Sequence, residues 1–242
     1  MTQIFGEVAS MYDDVRPAYP DQVLDAIIEY HGGVPASVVD LGAWTGKGTE
    51  LLVRLDAPVT CVEPDPRMAA VLKAKFPQVH VENTTFEQWT PPPAGLDVVA
   101  SAMAWHWLAP ETRNHLARAA LAPGGILAVF AHRYGYVDPA VSDAIFKVMY
   151  AIDPTVAQRP EHWIVDDVTA SGVFADVREQ SWHTYAEFST ARYLQLMQTF
   201  SPFRRKTPED QQRSLTGIGA AIDAHGGSLV LDLHTTLVLA RG

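Results

Sequence analysis

Two acids and a run of glycines stand where a chain can grip a nucleoside. The stretch VVDLGAWTGKGTELL, residues 38–52, passes from an apolar strand through Asp40 into a turn carrying Gly42, Gly46 and Gly48, then into an amphipathic helix. Glycines after the first strand of an open α/β sheet let the backbone approach a ligand closely. A second strand, VTCVEPD, ends in Glu63, and a carboxylate there can accept two hydrogen bonds from a ribose diol. A cofactor containing ribose is the expectation. His106, in AMAWHWLAPE just beyond a fourth strand, has the right chemistry for a base, because imidazole titrates near neutrality. The alternative for His106 is a hydrogen-bonded packing residue, for Asp40 a turn acceptor and for Glu63 a surface carboxylate. No group of His, Cys and acidic residues has convincing metal-ligand spacing, so no metal is expected.

The elements that must position these residues alternate regularly. DQVLDAIIEYHGG has helical spacing and stops at Gly32-Gly33. Strands at SVVDLGA, VTCVEPD, VHVEN, LDVVASAM and GGILAVFA are separated by helices at KGTELLVRL, PRMAAVLKAKF and PETRNHLARAAL. Such alternation predicts right-handed crossovers and a parallel sheet with helices on both faces. After Arg133 the rhythm changes. Residues 138–152 read as a helix, 153–172 as irregular, VREQSWHTY and SLVLDLHTTLVLAR as strands, with helical patterns at 189–200 and 208–225. The two late strands are expected to form an antiparallel pair closing one sheet edge. The whole chain, 1–242, reads as one domain, with 134–172 and 189–225 as candidate lid insertions over the strand ends.

Composition narrows the partners. Apolar residues make up 48% and charged residues 19% of the 242, which suits a well-buried core rather than disorder. A net charge of −10 argues against nucleic acid, whose backbone needs a dense basic surface. Arg204-Arg205-Lys206 is too short to change that and reads as a solvated loop. Cys61 is the only cysteine, so no intrachain disulfide forms and a reducing compartment is expected. No apolar stretch approaches the roughly 20 residues of a membrane span. MTQIFGEVASMYDDVRPAYP has no continuous apolar run of the secretory kind. A cytoplasmic protein without membrane association is expected, and its oligomeric state is open.

VVDLGAWTG followed by CVEPDPRM, LDVVASAMAWHW and LAPGGILAVF resembles the class I S-adenosylmethionine-dependent methyltransferases, most of all their small-molecule branch, often called type 11. The similarity is strong over roughly residues 38–131. It extends more weakly to YDDVRPAYP, LMQTFSP and HGGSLVLDLHTTLVLAR. The resemblance implies a Rossmann-like, doubly wound sheet of seven strands, mostly parallel with an antiparallel last strand. It implies S-adenosylmethionine as cofactor and a small-molecule acceptor, with O- or N-methylation favoured. By the same resemblance Asp40 and Gly42 lie beside the methionine part of the cofactor, with Ala43, Trp44 and Gly46 completing the loop. Glu63 takes the ribose hydroxyls, and Pro64 and Met68 flank the adenine. Thr85, Phe86 and Glu87 in TTFEQW meet the adenine edge, and Ala102 faces the sulfonium. Tyr12 and Arg16 fold over the site, Arg16 pairing with the cofactor carboxylate. His106 stands by the reacting methyl group.

One residue breaks the pattern. The family loop has glycine where this chain has Trp44, and a bulky side chain there competes with the ligand or strains the turn. Three outcomes are open: an indole packed aside with the cofactor still bound, a substitution that impairs an ordinary methyltransferase, or a non-catalytic ligand-binding protein on the same scaffold. A nicotinamide-dependent oxidoreductase shares the ribose-binding acid but fits Asp40 and the late strand pair less well. Trp105 and Trp107 read as core or pocket wall. Tyr134, Tyr136, Trp163, Tyr193, Met197 and Phe200 offer aromatic and apolar lining for an acceptor, with His132, Arg133 and Arg204 as weak signals for an anionic one.

Overall fold

A computed structural model describes residues 9–155 and 159–242. The elements run α1 (Ala9–Val15), α2 (Gln22–His31), β1 (Val38–Leu41), α3 (Lys47–Leu52), β2 (Val59–Val62), α4 (Pro66–Lys75), β3 (His80–Glu82), β4 (Leu96–Ala102), α5 (Arg113–Ala120) and β5 (Leu121–Tyr136). They continue as α6 (Pro139–Ile152), α7 (Trp163–Ala170), β6 (Asp176–Ser189), α8 (Thr190–Met197), α9 (Ser201–Arg204), α10 (Pro208–Asp223) and β7 (Ser228–Arg241). The seven strands form one sheet in the order β3-β2-β1-β4-β5-β7-β6.

β1 to β5 pair in parallel, and β7 runs antiparallel to both β5 and β6. Every residue of β1 is buried, as expected of a central parallel strand covered on both faces. The strand order reverses between β1 and β4, which opens the crevice where such sheets take ligands. β6, at the free edge, is mostly exposed or half-buried. One face of the sheet is covered by a core that includes Ile27, Leu52, Leu72 and Phe130, the other by one that includes Leu41, Phe86, Trp105 and Val168.

Helix starts follow local chemistry. Asp65 caps α4 by accepting the Arg67 amide at 2.9 Å, Asp138 caps α6 through the Ala140 amide at 2.8 Å, and each cap is followed by proline at the first turn. A third apolar cluster, including Ile145 of α6, Leu196 of α8 and Ile218 of α10, rests on Leu231 and Leu233 of β7. Within the first expected lid segment, α7 instead packs Ile164 and Val168 into the sheet core. β5 is longer than its sequence pattern suggested: its far end, through Tyr136, is held by β7, with Tyr136 opposite Leu231. Among the described residues no helix is long and apolar enough to cross a membrane.

Candidate active site

The turn after β1 is built by close approach. Asp40 is fully buried; its Oδ2 accepts the Thr49 hydroxyl at 2.7 Å, while Oδ1 has no hydrogen-bond partner among the described residues. Burial pushes its carboxyl up to about 6. Gly42 has φ +67, and a Cβ there would lie 2.5 Å from the Ala104 Cβ; a Cβ on Gly48 would meet Ala102 at the same distance and Asp40 Oδ2 at 3.2 Å. Neither glycine can be replaced without moving a neighbour. Gly46 precedes α3, and Ala43 is buried in the core beneath.

Glu63 closes β2 with 1% exposure. Its Oε2 accepts the Trp44 amide at 2.9 Å and its Oε1 the Asp65 amide at 2.7 Å. Burial raises its pKa to about 7, against the lowering effect of those two amides. Asn83 donates to the Glu63 carbonyl at 2.7 Å and ties β2 to the segment after β3.

Trp44 adopts φ 53 and is 7% exposed. Its ring lies nearly parallel to Tyr12, centroids 5.9 Å apart, and meets Trp107 edge-on at 6.2 Å. Met68, Ala9 and Ala104 complete the cluster. Met68 and Tyr12, two residues expected to frame the cofactor, therefore frame the indole.

A second space opens beside this one, beyond the end of β4 and along the far half of β5. It is a cavity of about 340 Å³. Tyr134, Tyr136, Trp163, Tyr193, Met197 and Phe200, the aromatic and apolar candidates of the sequence, all line it. His106, His132 and Arg133 also line it, with Arg159 and Lys206 from stretches that carried no such signal. Lys206 belongs to a basic cluster read as solvated loop, and Arg205 of that cluster lies over the Trp107 ring at 5.4 Å. Arg204 is not part of the lining.

Two histidines in that wall are held neutral. Burial, then the charges of Arg159, Arg113, Arg16 and Arg205, push His106 down to about 3. A base that weak draws a proton from a hydroxyl poorly at neutral pH, which counts against the role of base. His132 is lowered to about 4, chiefly by burial. Its Nε2 donates to the Ala18 carbonyl at 3.3 Å, and its Nδ1 accepts from Thr235 at 2.9 Å across the β5–β7 pair. The turn bearing His106 is clamped from behind: Arg113 forms a two-point ion pair with Asp167, and the Trp105 indole donates to Asp167 at 2.9 Å.

Arg16 bridges the two spaces. It is 9% exposed and donates to the Thr199 hydroxyl and carbonyl at 2.9 and 2.8 Å and to Tyr134 at 3.3 Å. Its guanidinium lies over Tyr12 and Phe200. Among the described residues no carboxylate pairs with it. Other expected cofactor contacts sit differently. Phe86 is buried in the sheet core, and Glu87 is exposed, with Oε1 accepting the Ala109 amide at 3.1 Å. Pro64 and Thr85 are half-buried near the ends of β2 and β3, and Ala102 is buried beneath Gly48.

Residues 38–125 match the family model described as Methyltransferase domain. An uncharacterized methyltransferase of Mycobacterium tuberculosis is 35% identical over 127 residues, 52% of this chain and 51% of that protein. Trans-aconitate 2-methyltransferase of Rhodopseudomonas palustris is 36% identical over 99 residues, 39% of this chain and 38% of that one. The solved structure of a putative type II methyltransferase from Anaeromyxobacter dehalogenans superposes with a TM-score of 0.72 at 20% identity, covering 93% of this chain and 97% of that one. Over residues 38–125 the chain is thus similar to methyltransferase domains, and its fold is shared with the solved structure. The matches span about half or less of the length of these two curated relatives.

Do the residues present fit the S-adenosylmethionine that the resemblance implies? The polar set does. Asp40 keeps an unpartnered buried oxygen, Gly42 and Gly48 leave room only for backbone, and Glu63 stands at the end of β2. Among the described residues the indole is what stands in the way. It is packed against Tyr12 and Met68, with its Nε1 3.9 Å from where a Gly42 Cβ would lie. Admitting a nucleoside between those residues requires the ring to leave its seat.

Proposed function

We propose that the protein transfers a methyl group from S-adenosylmethionine to a small-molecule acceptor, as in the small-molecule branch of the family. The observation that carries this reading is the pairing of two spaces at the strand ends. One is the glycine turn with Asp40 and Glu63; the other is the separate aromatic cavity, with His106 in its wall and Arg16 hydrogen-bonded to Tyr134 of its lining. The cofactor, when bound, supplies a methyl group already activated on a sulfonium. Asp40 and the Gly42 backbone would hold its methionine part, Glu63 the ribose, Met68 and Pro64 the adenine. Thr85 would lie at the adenine edge and Arg16 by the carboxylate, whereas Phe86 and Ala102 would support the site from the core.

The protein's main work is then to hold the acceptor in line and keep water out. Helices α6, α8, α9 and α10 would serve as the lid that does so, while α7 belongs to the sheet core. His106 is best placed as a neutral wall group next to the acceptor. The name of the R. palustris relative, trans-aconitate 2-methyltransferase, supports an acceptor of metabolite size.

A second reading is favoured by the burial of Trp44: a ligand-binding protein on this scaffold without catalysis. Thermal melting with S-adenosylmethionine, S-adenosylhomocysteine and NAD separates these readings. A rise with the first two supports the methyltransferase, a rise with NAD alone an oxidoreductase. Absence of S-adenosylhomocysteine formation with any acceptor of a broad metabolite panel supports the non-catalytic protein.

A further inference from the structure

The charge of the cavity runs against the charge of the chain. The protein carries 28 acidic and 18 basic residues. The cavity wall nevertheless holds Arg133, Arg159 and Lys206 against a single acid among the described residues, Glu161. That acid lies 3.6 Å from the His234 ring, and Lys206 has only a distant carboxylate, Asp153 at 3.7 Å. Four guanidiniums act on His106, and among the described residues only that of Arg113 is matched by an acid, Asp167. Clustered cations in an apolar, partly desolvated space repel one another, and an anion relieves that cost. The rest of the wall is aromatic and thioether surface, including Trp163, Phe200 and Met197, which favours a flat or apolar body.

The same cations decide what nucleophile the site can use. A hydroxyl must lose its proton; burial beside guanidiniums disfavours the charged form that His106 would then take, and Glu161, the acid in the wall, is engaged by the His234 ring. A carboxylate is already ionised at neutral pH.

Building on the methyltransferase reading, we propose that this cavity binds an apolar or aromatic carboxylate through Arg159, Arg133 and Lys206, and that a carboxylate oxygen is the methyl acceptor. The oxygen supplies the electron pair of the new O–CH3 bond, and the pair of the broken S–CH3 bond stays on the sulfur of the sulfonium donor. The anionic oxygen and the cationic sulfur both become neutral, and no proton is transferred. The ester product has lost the charge that the arginines hold, so it leaves more readily than the acid binds.

The test is calorimetric titration of the full chain without methyl donor. The probes are benzoate, phenylacetate, 3-phenylpropanoate, indole-3-acetate and octanoate, each set beside its alcohol, amine and methyl ester. The expected result is at least one carboxylate bound tenfold or more tighter than its three counterparts. Arg159→Gln and Lys206→Gln should each weaken that carboxylate about tenfold while leaving the alcohol unchanged. Equal affinity across every set, or a preference for amines, overturns the proposal, as does a carboxylate preference that neither variant reduces. With labelled S-adenosylmethionine the product's methyl should be released by mild alkali, as an ester requires; an alkali-stable methyl overturns the assigned atom. Because the titrations need no donor, they stand even if S-adenosylmethionine fails to bind, an outcome that would defeat the methyltransferase reading alone.

Discussion

Replacing Trp44 by glycine separates what the indole does for the fold from what it does to the ligand. The ring is 7% exposed and packed on Tyr12, Trp107 and Met68, and truncating a buried tryptophan costs about 3–5 kcal/mol. Part of that returns, because φ 53 is a left-handed conformation that costs a non-glycine residue about 1–2 kcal/mol. The ring's seat therefore stabilises the ligand-free protein by roughly 1–4 kcal/mol, and Trp44→Gly should melt some 2–15 °C lower for a chain of this size. A nucleoside that must evict the ring meets the same cost, less whatever the indole regains by packing elsewhere. Removing the ring should then tighten S-adenosylmethionine and S-adenosylhomocysteine severalfold to about a thousandfold. The assay is isothermal titration of both proteins with both ligands, beside melting curves with and without ligand. The expected pattern is a less stable free protein with a larger ligand-induced rise. Equal or weaker affinity in a folded Trp44→Gly protein refutes the reasoning, because the indole would then not compete with the cofactor.

Glu63 carries a pH signature. Its pKa is raised from 4.5 unfolded to about 7 in the fold, so folding favours the protonated form, and the cost of ionising it is absent at low pH and complete above about 7. Relative to Glu63→Gln, whose loss of one acceptor for the Trp44 or Asp65 amide is independent of pH, the wild type should lose up to about 3 kcal/mol of unfolding free energy between pH 5 and pH 8; a relative loss toward acid instead refutes this. Asp167→Asn leaves the Arg113 charge without its partner behind the His106 turn. It should cost about 3 kcal/mol in denaturant unfolding, the lower end of the range for buried pairs because Asp167 is 20% exposed. His106→Gln should keep kcat within about tenfold and leave the acid limb of the pH profile in place, whereas a loss of a hundredfold or more restores the histidine as a base.

The central sheet was legible because its signals are local. VVDL and VTCV are short apolar runs that carry Asp40 and precede Glu63, the acids proposed for the cofactor, and Asp65-Pro66 marks the start of a helix. The late antiparallel pair was legible from alternation in SLVLDLHTTLVLAR, now seen between β5 and β6. What escaped depends on partners far away in sequence. The far half of β5 is a strand because β7 pairs with it residue by residue to Tyr136. Arg159 sits in an irregular stretch and Lys206 in a short basic cluster, and only the fold brings both to one cavity. Arg16 has the spacing of a cofactor ligand, but its hydrogen bonds run to Thr199 and Tyr134, at the boundary with the aromatic cavity.

Trp44 and Glu63 form one unit. The tryptophan amide is one of two that hold the Glu63 carboxylate, while its ring fills the cluster beside them. The loop thus presents its amide to the carboxylate as a glycine would and adds a side chain that shuts out water. Burial is the main cause that holds the Glu63 pKa up, and a dry carboxylate near neutrality is poised between charged and neutral forms. A ribose diol arriving there would donate to the charged form and favour it. Two opposed effects therefore set the state from which the ribose acceptor must start: burial, which favours the neutral carboxyl, and the Trp44 and Asp65 amides, which favour the carboxylate.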